Sequence, residues 1–197
     1  MADTDYVTLA ELKKLRRIAA SDTADDESLQ QAVDAANRAI DSRCGRTFGL
    51  DTDPTVRVFR PRGRVVSDPD GERLLVDDIG DPGGLAVEVG DGTAWSAVGD
   101  YETLPDNALA RGEPVTGLLR PCGTWACQRV RVTTRWGWPA VPDEIRQAAL
   151  LLASRLWLRR DSPEGVAGSS EWGVVRVSRM DPDVEALISP YVLPGFA

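Results

Sequence analysis

The sequence predicts a mixed α+β fold: a small helical bundle of two N-terminal helices plus one long helix, with an inserted antiparallel β module and an extended C-terminal tail. Three observations carry that prediction. Apolar residues recur at helical spacing through the first 45 positions, the period drops to two between 52 and 138, and helical spacing returns from Asp143 to Arg160. The expected organisation is a helical hairpin over 1–51, a β module over 52–138, a core helix completing the bundle over 139–165, and a strand, short helix and docking tail over 166–197.

The first helix opens at Thr8, where "TLAE" puts Glu11 three residues on, the capping-box spacing. Leu12, Leu15, Ile18 and Ala19 then form an apolar stripe, with Lys13, Lys14, Arg16 and Arg17 expected on the wet side. "SDTADDES" ends this helix and begins the next, whose Asp25, Asp26 and Glu27 suit the positive end of a helix dipole. Leu29, Ala32, Val33, Ala36, Ile40 and Cys44 repeat with a 3.6-residue period, and Gly45 is placed to cap the end.

The β module is read from "TVRVFRPRGRVV", "RLLVDD", "LAVEV", "AWSAV", "DYETL" and "RVRVTTRW", with turns expected at "PDG", "DPGG" and "DGT". In the last of these strands Val130, Val132, Thr134 and Trp136 share one face, while Arg129, Arg131, Thr133 and Arg135 share the other. That pattern predicts a half-exposed antiparallel strand whose basic face meets water or a partner.

Pro142 suits the first turn of the long helix, Asp143 and Glu144 its dipole, and Ile145, Ala148, Ala149, Leu152 and Leu156 its buried stripe. Arg159 and Arg160 complement its C-terminal end, and the Ser162–Pro163 step stops it. The tail offers a strand at 174–178, a short helix begun by Asp181-Pro182, and a final apolar segment that either docks on a partner or packs back on its own domain.

Composition narrows the function. The chain has 197 residues and no histidine, so imidazole acid–base catalysis and a serine–histidine pair are excluded. Cys122 and Cys127 have no second cysteine pair for zinc. "DPDGERLLVDD" lacks the glycine of a calcium loop at its sixth position and reads as a solvated turn. Neither a phosphate-binding loop nor a dinucleotide fingerprint occurs, and no spacing singles out a carboxylate pair. The expectation is a protein that is not an enzyme and uses no cofactor or metal. The three cysteines, Cys44, Cys122 and Cys127, are expected to be reduced thiols. No apolar run is long enough to span a membrane, and the acidic start lacks the pattern of a secretory signal. A net charge of −8 disfavours general nucleic-acid binding. The dense basic patch in "RVFRPRGR", with Arg57, Arg60, Arg62 and Arg64, is more consistent with a salt-bridged interface or a solvated hairpin face than with a phosphate site.

Two stretches carry a resemblance to a known family. "YVTLAELKKL…ADDESLQQAVDAANRAIDSRCGRTF" leads into a "CGRxF" sequence, and "VRVTTRWGWPAVPDEIRQAALLLASRLWLRRDSPEG" is followed by "GVVRVSRMDPDVEALISPY". In order and spacing they resemble the head–tail connector, or head-to-tail adaptor, proteins of long-tailed bacteriophages; the β module between them matches more weakly. The resemblance covers both ends and well over half the chain. It implies a homo-oligomeric ring, commonly of twelve copies, docked below the portal protein and receiving a stopper or tail-completion protein on its other face. It also implies a channel that passes double-stranded DNA without specific binding, and residence in the virion neck after assembly in the host cytoplasm.

Carried onto this sequence, the resemblance assigns portal docking to Val174, Val175, Arg176 and Val177, and to Val184, Leu187, Ile188, Tyr191, Leu193 and Phe196 in the tail. On that assignment, deleting residues 181–197 leaves a folded monomer that no longer binds portal-bearing capsids. A ring needs two different complementary patches. The candidate subunit-interface residues are Lys13, Lys14, Arg16 and Arg17 against Asp25, Asp26 and Glu27, with Arg57, Arg60, Arg62 and Arg64 in the β module. Two other readings stay open: a stopper or tail-completion protein of the same neck, and a helix-turn-helix regulator, whose second helix would begin with three acids that phosphate repels.

Overall fold

The computed structural model describes residues 5–126, 129–160 and 181–194, together with the backbone of Val166–Ala167 and Val175–Arg176. It is a mixed α+β protein. By its internal contacts the chain forms two compact units: a β unit, Thr47–Ala140, and a helical unit made by Thr4–Arg46 and Val141–Ala197.

In the helical unit, α1 (Leu9–Arg16) begins at the expected capping box, with the Glu11 amide donating to the Thr8 hydroxyl at 3.3 Å and the Thr8 amide to the Glu11 carboxylate at 2.7 Å. The helix is shorter than its apolar spacing suggests. Arg17 turns left-handed at φ 58°, and the Ile18 amide closes back on the Lys13 carbonyl, a Schellman-type end. Leu15, within the helix, is on the outside, 46% exposed, rather than in the stripe.

Helix α2 (Asp26–Cys44) buries every residue of its expected stripe, and Gly45 caps it at φ 68°. In α3 (Asp143–Arg159) Pro142 is the cap residue rather than part of the first turn. Ile145, Ala148 and Ala149 are buried as expected, but Leu152 and Leu156 are only half-buried, and Ala153 and Ser154 are buried in their place. The reason is that α3 is packed by α4 (Pro182–Ile188) as well as by α2, so its covered surface extends around the flank. Small residues on both α2 (Ala32, Ala36) and α3 (Ala148, Ala149, Ala153) suit close helix packing. Ion pairs fasten the ends: Arg160 to Asp25 at 3.1 Å, Arg43 to Glu185, and Arg155 to Asp181.

The β unit is a seven-stranded antiparallel sheet: β1 (Thr55–Phe59), β2 (Val65–Asp68), β3 (Gly71–Gly90), β4 (Trp95–Val98), β5 (Glu102–Leu104), β6 (Val115–Arg120) and β7 (Arg129–Trp136). Its organiser is β3, 20 residues long. Along one edge it pairs first with β2 and then with β7; along the other, first with β6 and then with β4. The path through the sheet runs β1-β7-β3-β6-β5, leaving β1 and β5 as its terminal strands.

"RLLVDD" and "LAVEV" are therefore one strand, not two separated by a turn. The "DPGG" between them sits where the β7 register shifts, between Asp81 and Ala86. A proline has no amide to give the ladder, and an interruption of the register is where one is tolerated. "RPRG", in contrast, does divide its segment, into β1 and β2.

Strand β7 alternates as read, with Val130, Val132, Thr134 and Trp136 buried. Val130, Val132 and Trp136 pack with Phe59, Leu74, Ile79, Leu118 and Trp125 into one core. Its tryptophans bury their rings while satisfying the indole N–H: Trp136 donates to the Thr55 carbonyl and Trp125 to the Glu72 carbonyl, each at 3.0 Å. Strands β8 (Val166–Ala167) and β9 (Val175–Arg176) pair antiparallel. Of the strand expected at 174–178, only Val175 and Arg176 lie among the described residues.

Candidate functional site

The surface chemistry is organised by where the basic residues find carboxylates. On β7 the basic face meets acids of its neighbour β3. Arg131 donates two hydrogen bonds to the Glu88 carboxylate, at 2.7 and 2.6 Å, and its guanidinium lies 4.6 Å from the Trp95 ring centre. Arg135 pairs with Asp81 at 2.9 Å. The Arg131 guanidinium holds the Glu88 carboxyl below its usual range. This face is thus largely neutralised within the sheet rather than left for water or a partner.

The "RVFRPRGR" patch divides in two. Arg57 and Arg64 share Asp77, at 2.9 and 3.3 Å, and stack over Trp136 and Phe59 at 4.5 and 5.1 Å. Arg60 and Arg62 are exposed and have no carboxylate partner among the described residues. On α1, Lys14 and Arg17 are exposed as expected, but Lys13 is not: it is 6% exposed, donates to the Asp22 carbonyl at 2.8 Å and is ion-paired to Asp26. Arg16 is half-buried, 5.3 Å from the Trp157 ring centre. Asp25 is paired to Arg160. Of the expected acid patch on α2, Glu27 remains exposed, while Asp25 and Asp26 neutralise cations of their own unit.

The tail packs back onto the helical unit over the described residues. Val184 is 1% and Ile188 0% exposed, so they belong to the core. Leu187 is half-buried, and the Tyr191 hydroxyl donates to the Glu144 carboxylate at 3.0 Å. Leu193 is 41% exposed, with its amide donating to the Cys44 carbonyl at 2.9 Å. Deleting 181–197 therefore removes buried side chains from the helical unit, and a folded monomer is not the expected product. Val174, Val177, Phe196 and Cys127 lie outside the described residues, as do the side chains of Val175 and Arg176.

The loop after β6 is tied down by Glu72, whose carboxylate accepts the Trp125 amide at 2.6 Å and the Thr124 hydroxyl at 2.8 Å; the amide bond, first, and the hydroxyl keep its carboxyl below the usual range. A cleft of about 250 Å³ lined by Tyr6, Glu11, Arg146 and Leu150, among others, lies in the helical unit. Its Glu11 is already committed to the capping box. Burial pushes the Cys44 thiol up to about 11, and Cys122 is exposed. Among the described residues no three His, Cys, Asp or Glu side chains are placed to hold a metal ion, and no helix is long and apolar enough to cross a membrane.

In sequence, a helical unit in two segments flanks a unit with a seven-stranded sheet. The sequence matches no protein-family profile and no curated protein. The fold does have solved counterparts. One is a chain from the "neck of empty GTA particle computed with C6 symmetry", 19% identical with a TM-score of 0.55. A second comes from the "virion of native gene transfer agent (GTA) particle", 18% identical with a TM-score of 0.56. A third comes from the "neck of native GTA particle computed with C12 symmetry", 16% identical with a TM-score of 0.50. Each alignment covers 100% of this chain and 94% of the other. At these identities the fold is what is shared.

Proposed function

We propose that this protein is a structural subunit of a phage-like virion neck: a head-to-tail adaptor that forms a ring between the portal and the stopper or tail. The observation that carries this reading is the likeness, across the whole chain, to chains of gene transfer agent neck and virion structures. The sequence resemblance to connector proteins supports it independently. A ring of twelve copies is in keeping with the symmetry of one of those necks.

The chemistry is consistent with that role. Among the described residues seven of the ten arginines of the β unit are ion-paired within it. The net charge of −8 favours a conduit that passes DNA without holding it. Duplex DNA is then expected to bind negligibly at physiological salt.

The test is the mass of the purified chain of 21.3 kDa, alone and mixed with isolated portal or portal-bearing capsids. Joining the portal in about a dozen copies is the expected result. A protein that ignores the portal at every concentration overturns the adaptor assignment, and tight, salt-sensitive duplex binding overturns the passive conduit.

A further inference from the structure

The geometry points to the two terminal strands of the β sheet as the two halves of one subunit–subunit contact. The edge of β1, with its arginine end, meets the acidic edge of β5 in the next copy of the chain. This inference rests on the ring reading above and deepens it by naming the residues that close the ring.

Among the described residues both strands are free on one side: β1 pairs only with β7, and β5 only with β6. Exposed edge strands are ready-made templates for another chain unless they are blunted. On β1 the residues facing away from the core are apolar. Val56 is 56% and Val58 50% exposed, among the most exposed large apolar side chains described.

The charges at the two edges differ in sign. Among the described residues every arginine of the β unit is ion-paired inside the unit except Arg60, Arg62 and Arg129. Arg62 follows Arg60 by two residues in the turn after β1. Phe59 is opposite Val130, so one step further along the ladder Arg60 comes beside Arg129, like charge against like. A chain with 31 acidic residues had carboxylates to spare for them. At the other end of the sheet path, Glu102 opens β5 and Asp106 follows it; both are exposed and neither carboxylate is ion-paired among the described residues, while the Asp106 carbonyl accepts from Arg111 at 2.9 Å. Glu102 shares the outward face with half-buried Leu104, as Arg60 shares one with Val56 and Val58.

A cyclic ring is closed by two different patches that complement each other. Copies carrying −8 each repel at long range, so their contact requires a local match of opposite charge. A basic, valine-bearing edge and an acidic edge, on opposite ends of one sheet, supply that match.

The experiment uses the full chain and two double variants, Arg60→Glu/Arg62→Glu and Glu102→Arg/Asp106→Arg, followed by sedimentation up to about millimolar protein. All four positions are exposed, so unchanged thermal unfolding is the check on folding. Each variant alone is expected to self-associate about 100-fold more weakly than the wild type. An equal mixture of the two is expected to recover association, because each basic edge then finds an acidic one. Variants that assemble like the wild type overturn the contact while leaving the ring reading intact. A wild-type chain that stays monomeric at every concentration overturns the contact too, and the portal experiment then decides the ring reading separately. Reduced retention of Arg60→Glu/Arg62→Glu on duplex DNA, with self-association unchanged, reassigns the arginines to phosphate and overturns it as well.

Discussion

Lys13 is ion-paired to Asp26 inside the helical unit, and its ammonium also donates to the carbonyl of Asp22. The contact joins the buried side of α1 to the first turn of α2. With 7% of the Lys13 side chain and 31% of the Asp26 side chain exposed, it is drier than an ordinary surface pair.

Replacing Lys13 by methionine keeps much of the stem but leaves the Asp26 carboxylate and the Asp22 carbonyl without their donor. The expected cost is about 2 kcal/mol, below the range for a fully buried pair because Asp26 retains water. Lys14→Met, on the exposed side of the same helix, is expected to change stability by less than about 0.5 kcal/mol. Urea unfolding of the two variants checks the contrast; equal costs would show that Lys13 is held no more firmly than its neighbour.

The capping box at Thr8 makes a pH prediction. The Thr8 backbone amide, first, and the Thr8 hydroxyl keep the Glu11 carboxyl below its ordinary 4.5. Because the folded value is depressed, the unfolded chain binds the proton more readily as the solution is acidified. The stabilisation is therefore complete above 4.5 and is lost as pH falls through the lower folded value. Thr8→Ala is expected to cost about 1 kcal/mol at neutral pH. Glu11→Gln should remove this acid-dependent component, so a wild-type-like slope between pH 5 and about 3 in that variant would sink the assignment.

Gly137 gives a sharper test of backbone geometry. It adopts φ 106°, and a Cβ there would lie 1.8 Å from the carbonyl oxygen of Gly49. Gly63 is also left-handed, at φ 82°, but has nothing within 4 Å of that position. Gly137→Ala is expected to cost about 4 kcal/mol or more, through the clash as well as the conformation. Gly63→Ala should cost only about 1–2 kcal/mol, the price of the left-handed conformation alone. Comparable midpoints in denaturant for the two variants would contradict the packing at Gly49.

What the sequence made legible were features decided within a few residues. The Thr8–Glu11 box, the α2 stripe ending at Gly45, the alternation of β7 and the Asp181 cap of α4 all follow from local spacing, and all are present. What it hid depends on partners far along the chain. Asp-Pro-Gly-Gly has the same chemistry whether it turns a hairpin or interrupts a ladder, and only pairing with β7 and β4 shows that β3 continues beyond it. Lys13 looks like a surface residue until α2 brings Asp26 to it. Arg57 and Arg60 are indistinguishable in "RVFRPRGR"; cross-strand placement gives one of them Asp77 and leaves the other without a carboxylate.

The packing of α4 separates residues that belong to the fold from residues left for a partner. Val184 and Ile188 are buried, whereas Leu193 is 41% exposed and is fixed through its backbone amide to Cys44. Ile188→Ala should therefore cost about 2–5 kcal/mol, as for other buried aliphatic truncations. Leu193→Ala should cost less than about 1 kcal/mol, because its side chain contributes little buried area and its backbone bond survives. If the tail also grips the portal, the two variants should separate in a second measurement. Leu193→Ala would then weaken portal association while thermal unfolding stays near wild type, and Ile188→Ala would lower both through loss of the helical core. Portal association unchanged in Leu193→Ala would restrict the role of this stretch to holding α4 in place, since the exposed side chain would then contribute nothing outside its own subunit.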